Sequence, residues 1–192
     1  ILGAHMEGPY ISPQKKGAQD PQFIRKADFR EIESLSQVVK VLTVASETLD
    51  DDEFAEQARA AGIRLSIGHS AATYEETLAA MARYKLDRFT HLFNAMTPFT
   101  HRAPGVVGAA LDTKSAVELI ADDVHVSPMA QRLVWRLKGK EGIILVTDSI
   151  RAAGMGDGVS ELGGQRVYVK GDLATLADGA IAGGVATMAK LI

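Results

Sequence analysis

Short apolar runs recur along this chain, each ending in a polar residue, and most are followed by a stretch with helical spacing. Residues 1–6 form such a run and end at Glu7, 38–45 are β-branched, and 63–67 close on Gly68-His69-Ser70. Residues 88–90 deliver His91, 116–121 lead into Asp122-Asp123-Val124-His125, and 143–147 end in Asp148. Each run has the length and composition of a strand. Between them the spacing predicts helices over 29–37, 51–61, 73–84 and 127–138. Thr73 with Glu76 forms a capping box, Ser127-Pro128 is a suitable N-cap and first-turn pair, and Gly62 is placed to stop the second helix. Residues 166–169 alternate polar and apolar among many glycines, which predicts a short hairpin in an insertion around 154–180, followed by a loop that enters a last helix.

Alternating strands and helices imply a parallel sheet flanked by helices. An open doubly wound sheet and a (β/α)8 barrel both satisfy that pattern. Glu7, His69, His91, Asp122 with His125, and Asp148 all fall at the C-terminal ends of successive strands. A barrel collects its chemistry from many strand ends, whereas an open sheet concentrates it at one switch point. The expected fold class is therefore α/β, a TIM-type barrel. No GxGxxG motif follows a strand, so a dinucleotide site is not expected. With no repeat or linker, residues 1–192 read as a single catalytic barrel domain. The opening on Ile1-Leu2-Gly3-Ala4, without a start Met, reads as the middle of a strand. An incomplete barrel, lacking its first strand or strands and its C-terminal part, is the resulting expectation.

Composition narrows the partners. The chain is 46% hydrophobic and 23% charged with a formal net charge of -3, and it has no Lys/Arg run to build a nucleic-acid groove. No segment is apolar enough to predict a membrane span. Cysteine is absent, which excludes disulfides and thiolate chemistry and fits a cytoplasmic location. Without Cys, a hydrolytic metal site needs about three His or carboxylate ligands and an open position for water. Glu7, His69 and His91 end three different strands and fit that need. Taken singly, a strand-end His is more often a hydrogen-bonded structural residue, and a Glu before Gly-Pro a turn cap; spacing alone leaves the two readings balanced.

The local sequences shift that balance. His5-Met6-Glu7-Gly8-Pro9-Tyr10 with Lys15-Lys16-Gly17-Ala18, Gly68-His69-Ser70, Thr90-His91-Leu92-Phe93-Asn94-Ala95-Met96, Arg102-Ala103-Pro104-Gly105, Ala121-Asp122-Asp123-Val124-His125 and Val146-Thr147-Asp148-Ser149 run in order along the chain. Together they resemble the N-acetylglucosamine-6-phosphate deacetylases of the amidohydrolase superfamily. The resemblance implies a metal-dependent hydrolase that removes acetate from an N-acetylated sugar phosphate. It implies Glu7, His69 and His91 as ligands of a divalent metal, zinc or Fe(II), and Asp148 as the catalytic acid/base. For substrate it implies Ala18, Gln19, Asn94, Ala95, His125 and the Ile181-Ala182-Gly183 loop, with Arg102 pairing with the phosphate across a homodimer interface. Partners are then the small sugar phosphate and a second copy, with neither nucleic acid nor membrane.

Two positions depart from the family pattern: Gln19 stands where many members carry His, and Gly184 stands where a Ser usually follows Gly183. Gln can donate a hydrogen bond but carries no charge, so weaker activation of the acetyl carbonyl or an altered substrate preference is expected. Three rival readings follow from the same residues. Another amidohydrolase, such as a deaminase or cyclic-amide hydrolase, would not need Asn94, Arg102 and His125. An inactive sugar-phosphate binder would not need Asp148. A non-haem iron oxygenase shares the two-His, one-carboxylate set but not the strand–helix pattern.

Overall fold

The computed structural model describes residues 1–192. Six strands, β1 (Ala4–Glu7), β2 (Val39–Val44), β3 (Arg64–Ile67), β4 (Arg88–Phe89), β5 (Ala116–Leu119) and β6 (Ile143–Leu145), form one sheet. The sheet order is the chain order, β1-β2-β3-β4-β5-β6, and every pair is parallel. A doubly wound sheet reverses its order at a switch point; this one never does. The sheet also curls. In a flat sheet, strands at ~4.8 Å spacing would hold β1 and β5 ~19 Å apart. Instead His5 Nδ1 of β1 lies 3.4 Å from a carboxylate oxygen of Glu118 on β5. The result is a curled, parallel half-barrel of α/β type, as the positions of the polar strand ends suggested.

Four helices flank the sheet: α1 (Asp52–Ala60), α2 (Tyr74–Tyr84), α3 (Gly105–Asp112) and α4 (Pro128–Lys138). Each has a local reason. Asp51 caps α1 by accepting from the Phe54 N–H, and the helix buries Phe54, Ala55 and Ala58. The Thr73–Glu76 capping box is formed at α2, which ends on left-handed Lys85. Ser127 caps α4 with Pro128 in the first turn. The buried faces meet Leu42, Val44, Ile67, Phe89 and Val117 of the sheet in one continuous core. Tyr84 buries its ring there and donates its hydroxyl to the Leu49 carbonyl at 2.7 Å.

Three expectations are corrected. The predicted helix over 29–37 is two separate 3-10 turns, Phe29–Glu31 and Glu33–Leu35. The break is at Ile32, whose φ of −112° and ψ of −3° depart from regular α-helical values, and whose side chain is buried in the core. α3 was not foreseen because GVVGAALD is apolar on every side and has no amphipathic period; six of its eight residues are buried. The hairpin is larger than expected. β7 (Gly158–Leu162), β8 (Gln165–Lys170) and β9 (Leu173–Thr175) make a three-stranded antiparallel sheet. Its alternation holds: Val167 and Val169 are buried while Arg166, Tyr168 and Lys170 are exposed. The short helix α5 (Met188–Leu191) lies at the C-terminal end of the chain, and no helix is long and apolar enough to cross a membrane.

Candidate metal centre

The curl brings Glu7, His69 and His91 together at the C-terminal rim of the sheet. Glu7 ends β1, and the two histidines follow β3 and β4. His69 Nε2 lies 3.0 Å from Glu7 Oε1, and His91 Nε2 lies 3.2 Å from Glu7 Oε2. The two Nε2 atoms are 3.0 Å apart, with the rings edge to face. Two imidazole nitrogens on one ion at ~2.0–2.1 Å stand roughly 2.9–3.4 Å from each other, so the spacing suits a shared divalent cation. The ring of His69 is already set for ligation. Its Nδ1 donates to the Lys15 carbonyl at 2.7 Å. A carbonyl only accepts, so in the neutral ring the lone pair is left on Nε2, facing Glu7 and His91.

The electrostatics agree. Burial opposes charge on Glu7, but the adjoining His69 and His91 rings outweigh it and hold the carboxyl well below its usual range. Burial likewise disfavours charge on His91, yet the hydrogen bond to Glu7 and the charges of Glu7 and Asp148 push its pKa up to about 9. The site thus attracts a positive charge at the point where the three ligand atoms meet, and a metal bound there displaces a proton.

A cavity of about 740 Å³ opens above these ligands. Asp148 lines it, reached by solvent but crowded by protein atoms, and that desolvation pushes its carboxyl above the ordinary range. Ala18, Gln19, Asn94, Ala95, His125, Ile181, Ala182 and Gly183 also line it. Asn94 and Ala95 come from the turn after His91, where the Asn94 amide donates back to the His91 carbonyl at 3.2 Å. His125 is fixed from below: its Nδ1 donates to Asp122 Oδ2 at 2.7 Å, while its buried Nε2 has no partner. Gln19 donates to Glu7 Oε1 at 3.1 Å, so its amide reaches the ligand carboxylate. Arg102 is the exception. It is exposed on the loop before α3 and is not among the cavity residues of this chain.

Several contributions were not legible in the sequence. Lys15 orients His69 through its carbonyl, a role no side-chain motif reveals. Gln165 and Leu162 reach the cavity from β7–β8. The backbone bears a further mark: His69, His91, Ala95 and Asp148 all have positive φ, at 48°, 28°, 50° and 47°. Non-glycine residues rarely adopt this region, and such strain gathers at functional sites.

No protein-family model matches the chain. It is 42% identical to an N-acetylglucosamine-6-phosphate deacetylase of Bacillus subtilis, over 98% of this chain and 48% of that protein. It is 39% identical to an N-acetylgalactosamine-6-phosphate deacetylase of Escherichia coli O157:H7, over 95% of this chain and 49% of that protein. Solved structures agree. An N-acetylglucosamine-6-phosphate deacetylase of Thermotoga maritima superposes with a TM-score of 0.90 at 41% identity, over 96% of this chain and 51% of that one. A mutant Mycobacterium smegmatis enzyme in complex with N-acetyl-D-glucosamine-6-phosphate gives 0.92 at 35% identity, over 100% and 51%. The chain spans about half the length of the relatives it matches. In sequence, in fold and in the residues gathered at the strand ends, it belongs to the N-acetylglucosamine-6-phosphate deacetylase family.

Proposed function

We propose that this chain carries the metal ligands and the catalytic carboxylate of a deacetylase that converts N-acetylglucosamine 6-phosphate to glucosamine 6-phosphate and acetate. The observation that carries the reading is the convergence of Glu7, His69 and His91 at one point on the floor of a cavity that Asp148 also lines. The whole protein is then an eight-stranded barrel of the amidohydrolase superfamily. Residues 1–192 are part of its single catalytic domain, and the β7–β9 sheet is an insertion.

Glu7, His69 and His91 would hold a divalent ion, zinc or Fe(II), which when bound supplies Lewis acidity at the amide carbonyl and activates water. The other steps belong to the chain. Asp148, with its carboxyl pushed up by desolvation, is suited to take a proton from the attacking water and return it to the leaving amine. Without that return, the tetrahedral intermediate would expel the water-derived oxygen rather than the amine. Unpartnered His125 Nε2, an acceptor while Nδ1 donates to Asp122, is suited to accept a hydrogen bond from a sugar hydroxyl, and Asn94 with Ala95 forms the wall behind the metal ligands. Arg102 suits a phosphate through its forked donors. Its exposed position fits a role across the interface of a homodimer. A cytoplasmic location completes the proposal.

Acetate release from N-acetylglucosamine 6-phosphate by the full-length, zinc-loaded protein tests the reading, with Asp148→Asn as the control. The variant should bind metal normally and lose about 10²–10⁴-fold in kcat, the usual worth of a positioned acid/base. Binding of metal and sugar phosphate without acetate release would overturn the deacetylase assignment. Because one relative is named for the galactosamine epimer, the same assay with N-acetylgalactosamine 6-phosphate decides which configuration at C4 is preferred.

A further inference from the structure

The β7–β9 sheet takes no part in the metal centre, yet it touches the site at three places. Its small core of Val167, Val169, Ala174 and Leu176 includes Ala182, with Ala18 and Ile150 packed against it. Ala18 belongs to the loop that carries Gln19, Ala182 to the loop over the cavity, and Ile150 lies two residues after Asp148. On one side the sheet is stitched to the site by backbone bonds: Ala182 N–H donates to Ala174 O at 3.0 Å, and Leu176 N–H to Ala180 O at 2.8 Å. On the other side a single side chain does this. Gln165, at the start of β8, donates its amide to the Ala18 carbonyl at 2.6 Å across 147 residues of sequence. That carbonyl can only accept, which fixes the orientation of the amide. The next residue in the loop, Gln19, donates to Glu7 Oε1 at 3.1 Å.

From this arrangement we infer that Gln165 is a positioning residue for substrate. It holds the 15–20 loop against the β7–β9 sheet, so that the Ala18–Gln19 wall of the cavity is formed before the ligand arrives. The inference rests on the sugar-phosphate deacetylase reading for its ligand, but its structural part does not. A preformed wall lowers the ordering cost of binding, so its loss appears in KM and leaves the chemical step largely alone. Gln165→Met keeps the length of the side chain and removes the donor. Gln165→Lys keeps a donor.

Two readouts on the metal-loaded full-length protein test it: steady-state kinetics with N-acetylglucosamine 6-phosphate, and amide hydrogen exchange of residues 15–20. Gln165→Met should raise KM about 3–10-fold, the worth of one hydrogen bond, with kcat changed by less than about twofold and metal content unchanged. Exchange of 15–20 should quicken while β8 stays protected, and Gln165→Lys should recover both values. Unchanged exchange in Gln165→Met, or a lysine variant no better than methionine, would refute the assignment, as would a loss confined to kcat. A wild-type protein that released no acetate would sink the deacetylase reading, and the exchange contrast would then decide the role of Gln165 by itself.

Discussion

Gln19 illustrates how one side chain changes meaning between sequence and structure. Read along the chain, it is a neutral residue where many relatives carry His, and weaker contact with the acetyl group is expected. In the fold its amide donates to Glu7 Oε1, which makes it a partner of the proposed metal ligand. Such partners are worth about 10–100-fold in metal affinity. Gln19→Ala should therefore weaken zinc binding by at least about tenfold in a chelator competition, an effect that a contact with substrate alone would not produce. Asp122 plays the same supporting part for His125. Burial alone would raise its pKa, but the His125 and Val124 N–H groups and the His125 ring hold it below the ordinary carboxylate value. A depressed folded-state pKa adds stability above the unfolded value near ~4, and this is lost as pH falls through the folded one. Asp122→Asn should cost about 1–3 kcal/mol at pH 7, and the gap to wild type in thermal unfolding should close in acid. A gap of constant size from pH 7 to pH 3 would contradict the charged, hydrogen-bonded role. The three candidate ligands could be picked out in the sequence because each sits inside a distinctive local motif. Gln165 was not, since its partner Ala18 is 147 residues away and no local pattern records that contact.

At the scale of elements, the strands and the capped helices could be read because their signals are local: apolar runs, a capping box, a Ser-Pro start. α3 could not, because a helix buried on all sides has no polar face to set its period. The concave face of the sheet also carries polarity that alternation alone does not explain. Glu118, fully buried on β5, accepts from Arg88 Nε of β4 at 3.0 Å, and hydrogen bonds run from His5 to Thr43, Thr90 and Ser66 across four strands. Removing one member of a buried ion pair leaves an uncompensated charge, at a cost of roughly 3–5 kcal/mol. Arg88→Met should lose about that much in urea unfolding. The double variant Arg88→Met with Glu118→Leu should be clearly more stable than the single one. If the two variants are equally unstable, the pair does not balance charge.

For the molecule as a whole, the curl of the sheet is what turns separate motifs into a site. In a flat sheet Glu7 and His91 would stand three strands, or ~14 Å, apart; here they are 3.2 Å apart. The site is therefore a reporter of the global fold, and metal binding is coupled to it. Chelation should lower the thermal midpoint and zinc should restore it, by an amount that grows with the free zinc concentration. Glu7→Gln should abolish most of that shift. A midpoint insensitive to chelator would mean that the three ligands do not hold an ion.

The left-handed backbone at His69, His91, Ala95 and Asp148 bears on how such a protein can be improved. Each position opposes the intrinsic preference of an L-residue by about 1–2 kcal/mol, and glycine would relieve it at three of them only by deleting a proposed ligand or the proposed proton carrier. Laboratory evolution driven by heat resistance alone would thus be rewarded for dismantling the centre, and a thermostable lineage would keep it only if every round also screened for turnover. Among these four, Ala95 alone offers an exchange that spares both the proposed ligands and the proposed acid/base.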